Sequence, residues 1–447
     1  MILGAARQGV ALARWLTKHG ATVTLSDKRG EAELASARAT LSGLPIKWAT
    51  GGHPIELLND ADVLALSGGV PLTLPIVAAA MQRGMLLTND TQIFMEAVPC
   101  RTIGITGSAG KTTTTTLVGK MAKAAYGNKV FIGGNIGDPL INYVDEMKSD
   151  DLAILEISSF QLEQMTISPN IAAILNITPN HLDRHGTMEA YTAAKARILE
   201  FQSDKDVAVL GREDAGAWNL RNKVHGKLFT FSLKELPEDL SGTYLHDGLL
   251  SLRDGFAYMP LMLREKIQLR GDHNVSNVLA AFAIGHAVGL PLDAMLTVAE
   301  EFHGVAHRLE FVRDFQGVKY YNDTAATTPE SAISGINSFA EPIILIAGGA
   351  DKNLNMTEFA KEILEKTKDV IFFKGEATNK IIAEIKKLKS ETEFLVVDSM
   401  VKAVEATKDL AEKGDVVLLS TGSASFGVFR DEFDRGNQFK EIVSKLK

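Results

Sequence analysis

The sequence predicts an α/β protein of three modules. A Rossmann-like N-terminal domain and a Rossmann-like C-terminal domain flank a central P-loop domain with a mostly parallel sheet. Three observations predict this. Short apolar runs alternate with helix-period segments along the whole chain, the pattern of βαβ units on parallel sheets. Several of those runs are apolar at every position, as strands covered on both faces are. At 447 residues the chain is too long for one core, and about three domains is the natural division.

Composition narrows the class. Hydrophobic residues make up 45% and charged residues 23%, as in an ordinary soluble globular protein. The net charge of −8 argues against a nucleic-acid surface. No segment reaches the roughly 18 uninterrupted apolar residues of a membrane helix, and no basic-plus-apolar leader is visible. A single cysteine, Cys100, excludes an internal disulfide and fits a reducing cytoplasm, where a free buried thiol is expected. The expectation is a cytoplasmic protein with neither nucleic-acid nor membrane partner.

The first module spans residues 1–98. Met1 to Leu3 reads as a strand, Gly4 to Gly9 as a glycine-bounded turn, and the segment to His19 as an amphipathic helix. Ala21 to Asp27 and Asp62 to Ser67 read as further strands, the latter followed by the turn Gly68-Gly69-Val70-Pro71. Gly4 to Gly9 gives G-x-x-x-x-G, because Ala6 fills the middle place of the dinucleotide G-x-G-x-x-G. Asp27 lies about 20 residues on, where an acidic residue meets a ribose. This is a weak signal for NAD and a reasonable one for some nucleotide at the carboxyl ends of the strands. The first strand is short, which predicts a trimmed N-terminus.

The second module spans residues 99–303. Arg101 to Ile105 is a β-type run, and Thr112 to Ala125 reads as a helix. Between them lies Gly104-Ile105-Thr106-Gly107-Ser108-Ala109-Gly110-Lys111-Thr112-Thr113. A strand, a glycine loop and a helix N-terminus make a phosphate cradle, with the amides of residues 107–113 and the helix dipole facing the anion. Lys111 is placed to reach the outer phosphates and the Thr112 hydroxyl to hold Mg²⁺. The glycines recur every third residue, at 104, 107 and 110, and Ile105 stands where the usual P-loop pattern has its first glycine. Asp151 to Glu156 and Ile171 to Ile177 are nearly continuous apolar runs, as buried parallel strands require.

The third module spans residues 304–447 and restarts the alternation. Pro342 to Ala347, Asp369 to Phe373, Glu393 to Asp398 and Asp415 to Ser420 are strand candidates with helices between them. Lysines crowd the last hundred residues at helical spacing, as on a solvated face. The chain shows no internal repeat and no low-complexity segment.

Several strand ends carry chemistry. Glu156 closes a buried run, where a second Mg²⁺ ligand belongs beside a phosphate loop. The next run ends in Asn176-Ile177-Thr178-Pro179-Asn180-His181-Leu182-Asp183-Arg184-His185. Pro179 stops the strand, and His181 is placed to ligate a metal or hold a substrate phosphate or carbonyl. Tyr191 to Ile198 reads as a helix, and by residue pattern alone Lys195 on it is a snorkelling lysine. Asn274 and Asn277 share a helical face and suit either an adenine edge or a helix cap. Arg308 and Asp323 stand near a domain boundary, placed to bind triphosphate and ribose. Together the pieces point to ATP, two Mg²⁺ ions and a cleft. Such a site suits phosphorylation, ATP hydrolysis for work, or activation of a carboxylate.

This constellation resembles the Mur ligase family over essentially the whole chain. The motifs are Gly104 to Thr113, Gly134-Asn135-Ile136-Gly137, Glu156 to Leu162, His181 to His185, His273-Asn274 with Asn277, His307-Arg308, Asn322-Asp323, Gly348 to Lys352 and Ser423 to Phe426. The resemblance implies a first domain for a uridine nucleotide, a central ATPase core and a third domain that brings an amino acid. It implies a cytoplasmic, monomeric ligase of peptidoglycan precursor synthesis. It further implies that UDP-N-acetylmuramoyl-L-alanine is activated by ATP as an acyl phosphate and that D-glutamate then displaces phosphate. Lys111 and Mg²⁺ would neutralise charge on the γ-phosphate. Thr112 and Glu156 would hold one Mg²⁺, and His181 and a carbamylated Lys195 the other. Asn274, Asn277, Arg308 and Asp323 match ATP-binding positions. Asp27, Lys28, Ser67 and Asn135 match positions near the uridine nucleotide. Thr327, Lys352, Ser425 and Phe426 match positions that meet the incoming glutamate.

The chain departs from the family pattern in three places. Ala325 stands where a lysine is usual, so a cationic contact is missing. Glu432 stands where a phenylalanine faces the glutamate, with Phe433 beside it, and an acidic side chain there repels a dicarboxylate unless it points away. Asn180 replaces the aspartate before His181, which weakens support for a metal ligand. Alternatives are a sister ligase adding L-glutamate, L-alanine, a diamino acid or a D-Ala-D-Ala dipeptide, or a folylpolyglutamate synthetase. The Asp-Asn-Pro-Arg motif of the diamino-acid enzymes is absent, and Ser-Ala-Ser-Phe favours glutamate. A P-loop regulatory module would need neither three nucleotide-sized domains nor Glu156, His181 and Lys195. Ligands at domain junctions also imply hinge closure.

Overall fold

The computed structural model describes residues 1–180, 182–351, 354–389 and 393–447. The chain divides into two compact units, Met1–Lys266 with Ser276–Glu300, and Ile267–Val275 with Glu301–Lys447. The fold is α/β, as expected.

The first unit holds two sheets. The N-terminal sheet comprises β1 (Ile2–Leu3), β2 (Val23–Asp27), β3 (Ile46–Thr50), β4 (Val63–Leu66) and β5 (Leu86–Thr88), in the order β3-β2-β1-β4-β5. All its pairings are parallel. The chain winds one way from β1 to β2 and the other way from β1 to β4. A parallel sheet opens a crevice at such a switch point, beyond the carboxyl ends of the strands. Asp27, Ser67 and the Gly4 turn all lie at that edge.

The central sheet has nine strands in the order β14-β13-β12-β11-β10-β9-β6-β8-β7. They are β6 (Arg101–Thr106), β7 (Val130–Gly134), β8 (Leu152–Glu156), β9 (Ile171–Ile174), β10 (Val207–Gly211), β11 (Lys227–Ser232), β12 (Gly242–His246), β13 (Leu249–Asp254) and β14 (Ala257–Leu263). The sheet is parallel from β7 to β12, and β12, β13 and β14 close its edge as an antiparallel meander. Strands β6, β8 and β9 form the fully buried centre that their apolar runs predict. β9 stops at Ile174 rather than at Ile177. The Ile177 amide donates instead to Asp214, 2.9 Å away, and Asn176 turns to the phosphate loop.

The helix Lys111–Tyr126 contains five consecutive threonines, Thr112 to Thr116. β-Branched residues are poor helix formers. Burial of Thr114 and Thr115, both fully inaccessible, overrides that preference against the central sheet.

The second unit carries one sheet in the order β15-β16-β20-β17-β18-β19. Its strands are β15 (Glu310–Phe315), β16 (Val318–Asn322), β17 (Ile343–Ala347), β18 (Thr367–Phe373), β19 (Leu395–Val397) and β20 (Val416–Leu419). Among the described residues only the β15 edge of this sheet is antiparallel. The loops after β16, β17 and β20 meet at one carboxyl edge. Among the described residues no helix is long and apolar enough to cross a membrane. Cys100 is a buried free thiol, with its pKa pushed up to about 11 by burial.

Candidate functional site

The phosphate loop joins β6 to the helix Lys111–Tyr126. Two of its glycines, Gly104 and Gly110, do different work. Gly104 lies inside β6, where a Cβ would stand 2.4 Å from Pro169 Cγ, so it serves strand packing. Gly110 sits at the helix N-cap with φ +82°, a left-handed conformation that disfavours other residues. A Cβ there would also lie 2.3 Å from Asn277 Oδ1. Asn176 shapes the loop from the neighbouring strand end. Its Oδ1 accepts from the Ala109 amide at 2.8 Å, and its Nδ2 donates to the Ala109 carbonyl at 3.1 Å. The Lys111 ammonium donates to the Gly107 carbonyl at 2.8 Å and the Ser108 carbonyl at 3.3 Å.

Glu156 ends β8 and is 2% exposed. One carboxylate oxygen accepts from the Thr112 hydroxyl at 2.8 Å and the other from Asn135 Nδ2 at 2.7 Å. Asn135 thus stands against Glu156 as well as near the first module, where the Arg7 guanidinium donates to its carbonyl at 2.9 Å. A carboxylate and a hydroxyl at the mouth of a phosphate loop are hard oxygen donors and fit Mg²⁺. The described residues show no cluster of three or more His, Cys, Asp or Glu placed for a metal. His181, the third expected ligand, lies outside the described residues.

Lys195 is not a snorkelling lysine. It is 1% exposed and points into the sheet beneath the phosphate loop. Its ammonium donates to the Gly107 carbonyl at 3.0 Å and to Thr106 Oγ1 at 3.3 Å, and lies 4.8 Å from the Tyr191 ring centre. Burial holds its pKa well below the usual lysine value, Lys111 adds to the depression, and Glu156 opposes it. Burial of this kind disfavours the charged form of an amine.

At the N-terminal sheet, Asp27 is committed to its own neighbours. It accepts from the Ala5 amide at 2.7 Å and takes a bidentate pair from Arg29 at 3.0 and 2.8 Å. The Arg29 hydrogen bonds hold its carboxyl far below the usual carboxylate range. Lys28 beside it is exposed. The Ser67 hydroxyl donates to the Gly4 carbonyl at 2.9 Å, tying the first turn to the end of β4. A cavity of about 640 Å³ opens beside this turn, lined by Ala5, Arg7, Arg14, Arg29, Asn142 and Tyr143 among others. Arg7 and Arg14 bring positive charge to it, while Arg29 is held by Asp27, and Glu33 and Asp138 also line it.

Asn277 belongs to the first unit and reaches the phosphate loop, accepting weakly from the Thr114 hydroxyl at 3.4 Å. Asn274 belongs to the second unit and donates to the Arg270 carbonyl at 2.8 Å. In that second unit Arg308 is exposed, and Asp323 is 6% exposed. Asp323 accepts from the Ser420 hydroxyl at 2.7 Å and the Leu309 amide at 3.2 Å. Burial pushes its carboxyl up to about 7, against the opposing pull of those donors and Arg308. Ser425 is buried, and its hydroxyl has no hydrogen-bond partner among the described residues, while Phe426 is exposed. Thr327 lies half-buried on the loop after β16. Lys352 lies outside the described residues.

No cation replaces the one missing at Ala325 in sequence, but a buried one lies close in space. Arg435 is fully inaccessible. Its guanidinium donates to Thr324 Oγ1 at 2.8 Å, the Thr324 carbonyl at 2.9 Å and the Ser423 carbonyl at 3.5 Å. Burial lowers its pKa to about 10, and Glu432 acts in the opposite sense. Glu432 therefore contributes to the charge balance of a buried arginine.

Sequence reasoning left Asn176, Arg435, Phe160, Arg184 and His185 without roles. Asn176 had one visible signal, a polar residue at the end of an apolar run. The others take their roles from partners distant in sequence.

Three family models match the chain. They are the Mur ligase MurD-like N-terminal domain over residues 1–89, the Mur ligase middle domain over 105–285 and the Mur ligase glutamate ligase domain over 307–423. A UDP-N-acetylmuramoylalanine--D-glutamate ligase of Clostridium botulinum is 38% identical over 97% of this chain and 94% of its own length. The protein of the same name from Pelotomaculum thermopropionicum is 38% identical over 100% and 97%. Among solved structures, UDP-N-acetylmuramate-alanine ligase from Thermotoga maritima aligns with TM-score 0.61 and 22% identity, covering 100% of this chain and 99% of that one. MurF ligase from Thermotoga maritima in complex with ADP aligns with TM-score 0.57 and 18% identity, covering 96% and 97%. At these identities the two structures speak for the fold alone.

Proposed function

The chain belongs to the Mur ligase family, and from that premise we propose that it joins D-glutamate to UDP-N-acetylmuramoyl-L-alanine, driven by ATP. The reading assigns the uridine nucleotide to residues 1–98, ATP to 99–303 and glutamate to 304–447. The enzyme would work in the cytoplasm as a monomer. The observation that carries the site assignment is the Thr112–Glu156 pair at the phosphate loop with Lys195 buried beneath it.

The reaction has two displacements. The muramoyl-alanine carboxylate attacks the γ-phosphorus, a carboxylate O–P bond forms, the β–γ bridge breaks and ADP leaves. The glutamate amine then attacks the acyl carbon, the C–O bond to phosphate breaks, and the amine gives up a proton as the amide forms. Loop amides and Lys111 stabilise charge on the transferred phosphoryl group. Thr112 with Glu156, and His181 with Lys195, would hold two Mg²⁺ ions, which would neutralise negative charge on the reacting phosphate and carboxylate groups. Lys195, its pKa lowered by burial, would add CO₂ through its amine and release a proton, becoming a carbamate anion suited to a metal. Asn274, Asn277, Arg308 and Asp323 would hold the nucleotide. Asp27, Lys28, Ser67 and Asn135 would order the uridine side, and Thr327, Lys352, Ser425 and Phe426 the glutamate side.

The test is phosphate release from ATP with UDP-N-acetylmuramoyl-L-alanine and each amino acid in turn, D-glutamate against L-glutamate above all. Release only with D-glutamate supports the reading. Turnover that needs no amino acid defeats it.

A further inference from the structure

A continuous line of contacts crosses the first unit from the phosphate loop to the turn after β4. It begins at Ser108, whose hydroxyl donates to the Thr178 carbonyl at 2.9 Å and accepts from the Thr178 amide at 2.9 Å. With its own proton committed, Ser108 Oγ accepts from the Tyr191 hydroxyl, 3.0 Å away. The Tyr191 ring packs on His185 at 5.0 Å between centres. His185 stacks on Phe160 at 5.1 Å with an interplanar angle of 5°. The Arg184 guanidinium covers the other side of that assembly, 4.5 Å from the Phe160 ring centre. Its two terminal nitrogens donate to the carbonyls of Gly69 and Val70 at 3.4 and 3.2 Å.

His185 is pinned at both ring nitrogens. Glu163 lies 3.0 Å from Nδ1 and Ser159 Oγ 2.9 Å from Nε2, and the imidazole is 1% exposed. With Nδ1–H given to the carboxylate, Nε2 accepts from the serine hydroxyl, which fixes the ring plane. A ring that cannot rotate transmits a displacement of one face to the other.

One end of this line is a loop that meets phosphate. The other is a glycine-rich turn beside Ser67, at the crevice of the N-terminal sheet. We propose that Tyr191, His185, Phe160 and Arg184 are positioning residues that make binding of ATP and of the UDP substrate mutually dependent. The inference rests on the ligase reading above. Coupling between sites is a difference in affinity and is reciprocal, commonly about 5- to 150-fold. A line of contacts becomes a coupling path only when its disruption removes that factor.

The experiment is a ligand cycle on the full chain by titration calorimetry. UDP-N-acetylmuramoyl-L-alanine is titrated with and without a non-hydrolysable ATP analogue and Mg²⁺, and the reverse titration checks reciprocity. The wild type is expected to bind each ligand more tightly, by at least about fivefold, when the other is present. In His185→Ala and Phe160→Leu that factor falls towards one, while each ligand alone binds as before. His185→Phe keeps a stacked ring without the two bonds that fix its plane, and its factor falls as well. Thermal melts show that the variants are folded, and Phe160→Leu and His185→Phe preserve apolar volume if His185→Ala is not. A wild type without coupling overturns the proposal. So does a His185→Ala or Phe160→Leu variant that keeps the wild-type factor, or one that weakens both ligands equally with the factor intact. A wild type that binds neither ligand defeats the ligase reading itself.

Discussion

The Thr112 hydroxyl donates directly to the Glu156 carboxylate at 2.8 Å, bridging the helix start after one strand and the tip of its neighbour. Both groups were separate expectations from sequence, 44 residues apart. Their contact brings a hydroxyl and a carboxylate, the pair proposed to hold Mg²⁺, to one point of the loop. Glu156→Gln keeps the shape and removes the charge. Phosphate release should fall by about two orders of magnitude or more, comparable with loss of one preorganised charge-stabilising contact. The Mg²⁺ concentration for half-maximal rate should rise. A wild-type Mg²⁺ titration curve for this variant would remove Glu156 from the site.

Lys195→Ala should be nearly inactive and partly rescued by short carboxylic acids, which supply the missing anion. The wild type assayed in CO₂-free buffer should lose activity, and bicarbonate should restore it. Full activity of Lys195→Ala, or indifference of the wild type to bicarbonate, would rule out the carbamate.

Asp90 gives a pH dependence. It is buried, its Oδ1 has no hydrogen-bond partner among the described residues, and burial raises its pKa from the ordinary 3.8 to about 7. Asp323 is raised in the same way to about 7. Between those values the folded state binds more protons than the unfolded state, so stability falls as pH rises through the window and the loss is complete above it. Urea midpoints of the wild type should decline from pH 5 to pH 8. Asp90→Asn should flatten the decline and gain most at pH 8, by a few kcal/mol at most. An equal effect of the substitution at both pH values would show that its carboxyl is not raised.

Arg435 links the loop after β16 to the loop after β20 through Thr324 and Ser423. Arg435→Lys cannot reproduce the planar fork. It leaves buried oxygens short of donors, at about 1–3 kcal/mol each. The KM for glutamate should rise more than the KM for ATP, with a lower melting temperature. Equal rises in both constants would confine Arg435 to a general role in stability.

Gly110→Ala should abolish tight ATP binding, because its Cβ enters the space of Asn277 Oδ1 and its φ is left-handed. Nucleotide titration checks this directly, and wild-type affinity would show that the loop relaxes around the methyl group.

Much of this was legible in sequence because it is local. The phosphate loop, Glu156 at the end of an apolar run and the alternating elements all follow from spacing and periodicity. The role of Gly104 was not legible, since its constraint comes from Pro169. Lys195 misled for a related reason. Helical spacing says which face a lysine occupies, but not that a sheet covers that face. His185, Arg435 and Asn176 act through partners that only the folded chain brings near. The β13–β14 edge was hidden because Pro260 stands inside β14, and a proline within an apolar run argues against a strand except at a sheet edge.

The resting contacts of Lys111 bear on turnover. Its ammonium already holds two loop carbonyls, at 2.8 and 3.3 Å. An arriving triphosphate therefore does not find an idle cation. It competes with the protein's own backbone for the same three protons, and the net gain is the difference between two sets of hydrogen bonds. ADP offers no γ-oxygens and is the weaker competitor. On the role proposed for Lys111, the backbone would reclaim the lysine once the phosphoryl group has gone, and the loop would hold within itself a displacing agent for its spent nucleotide.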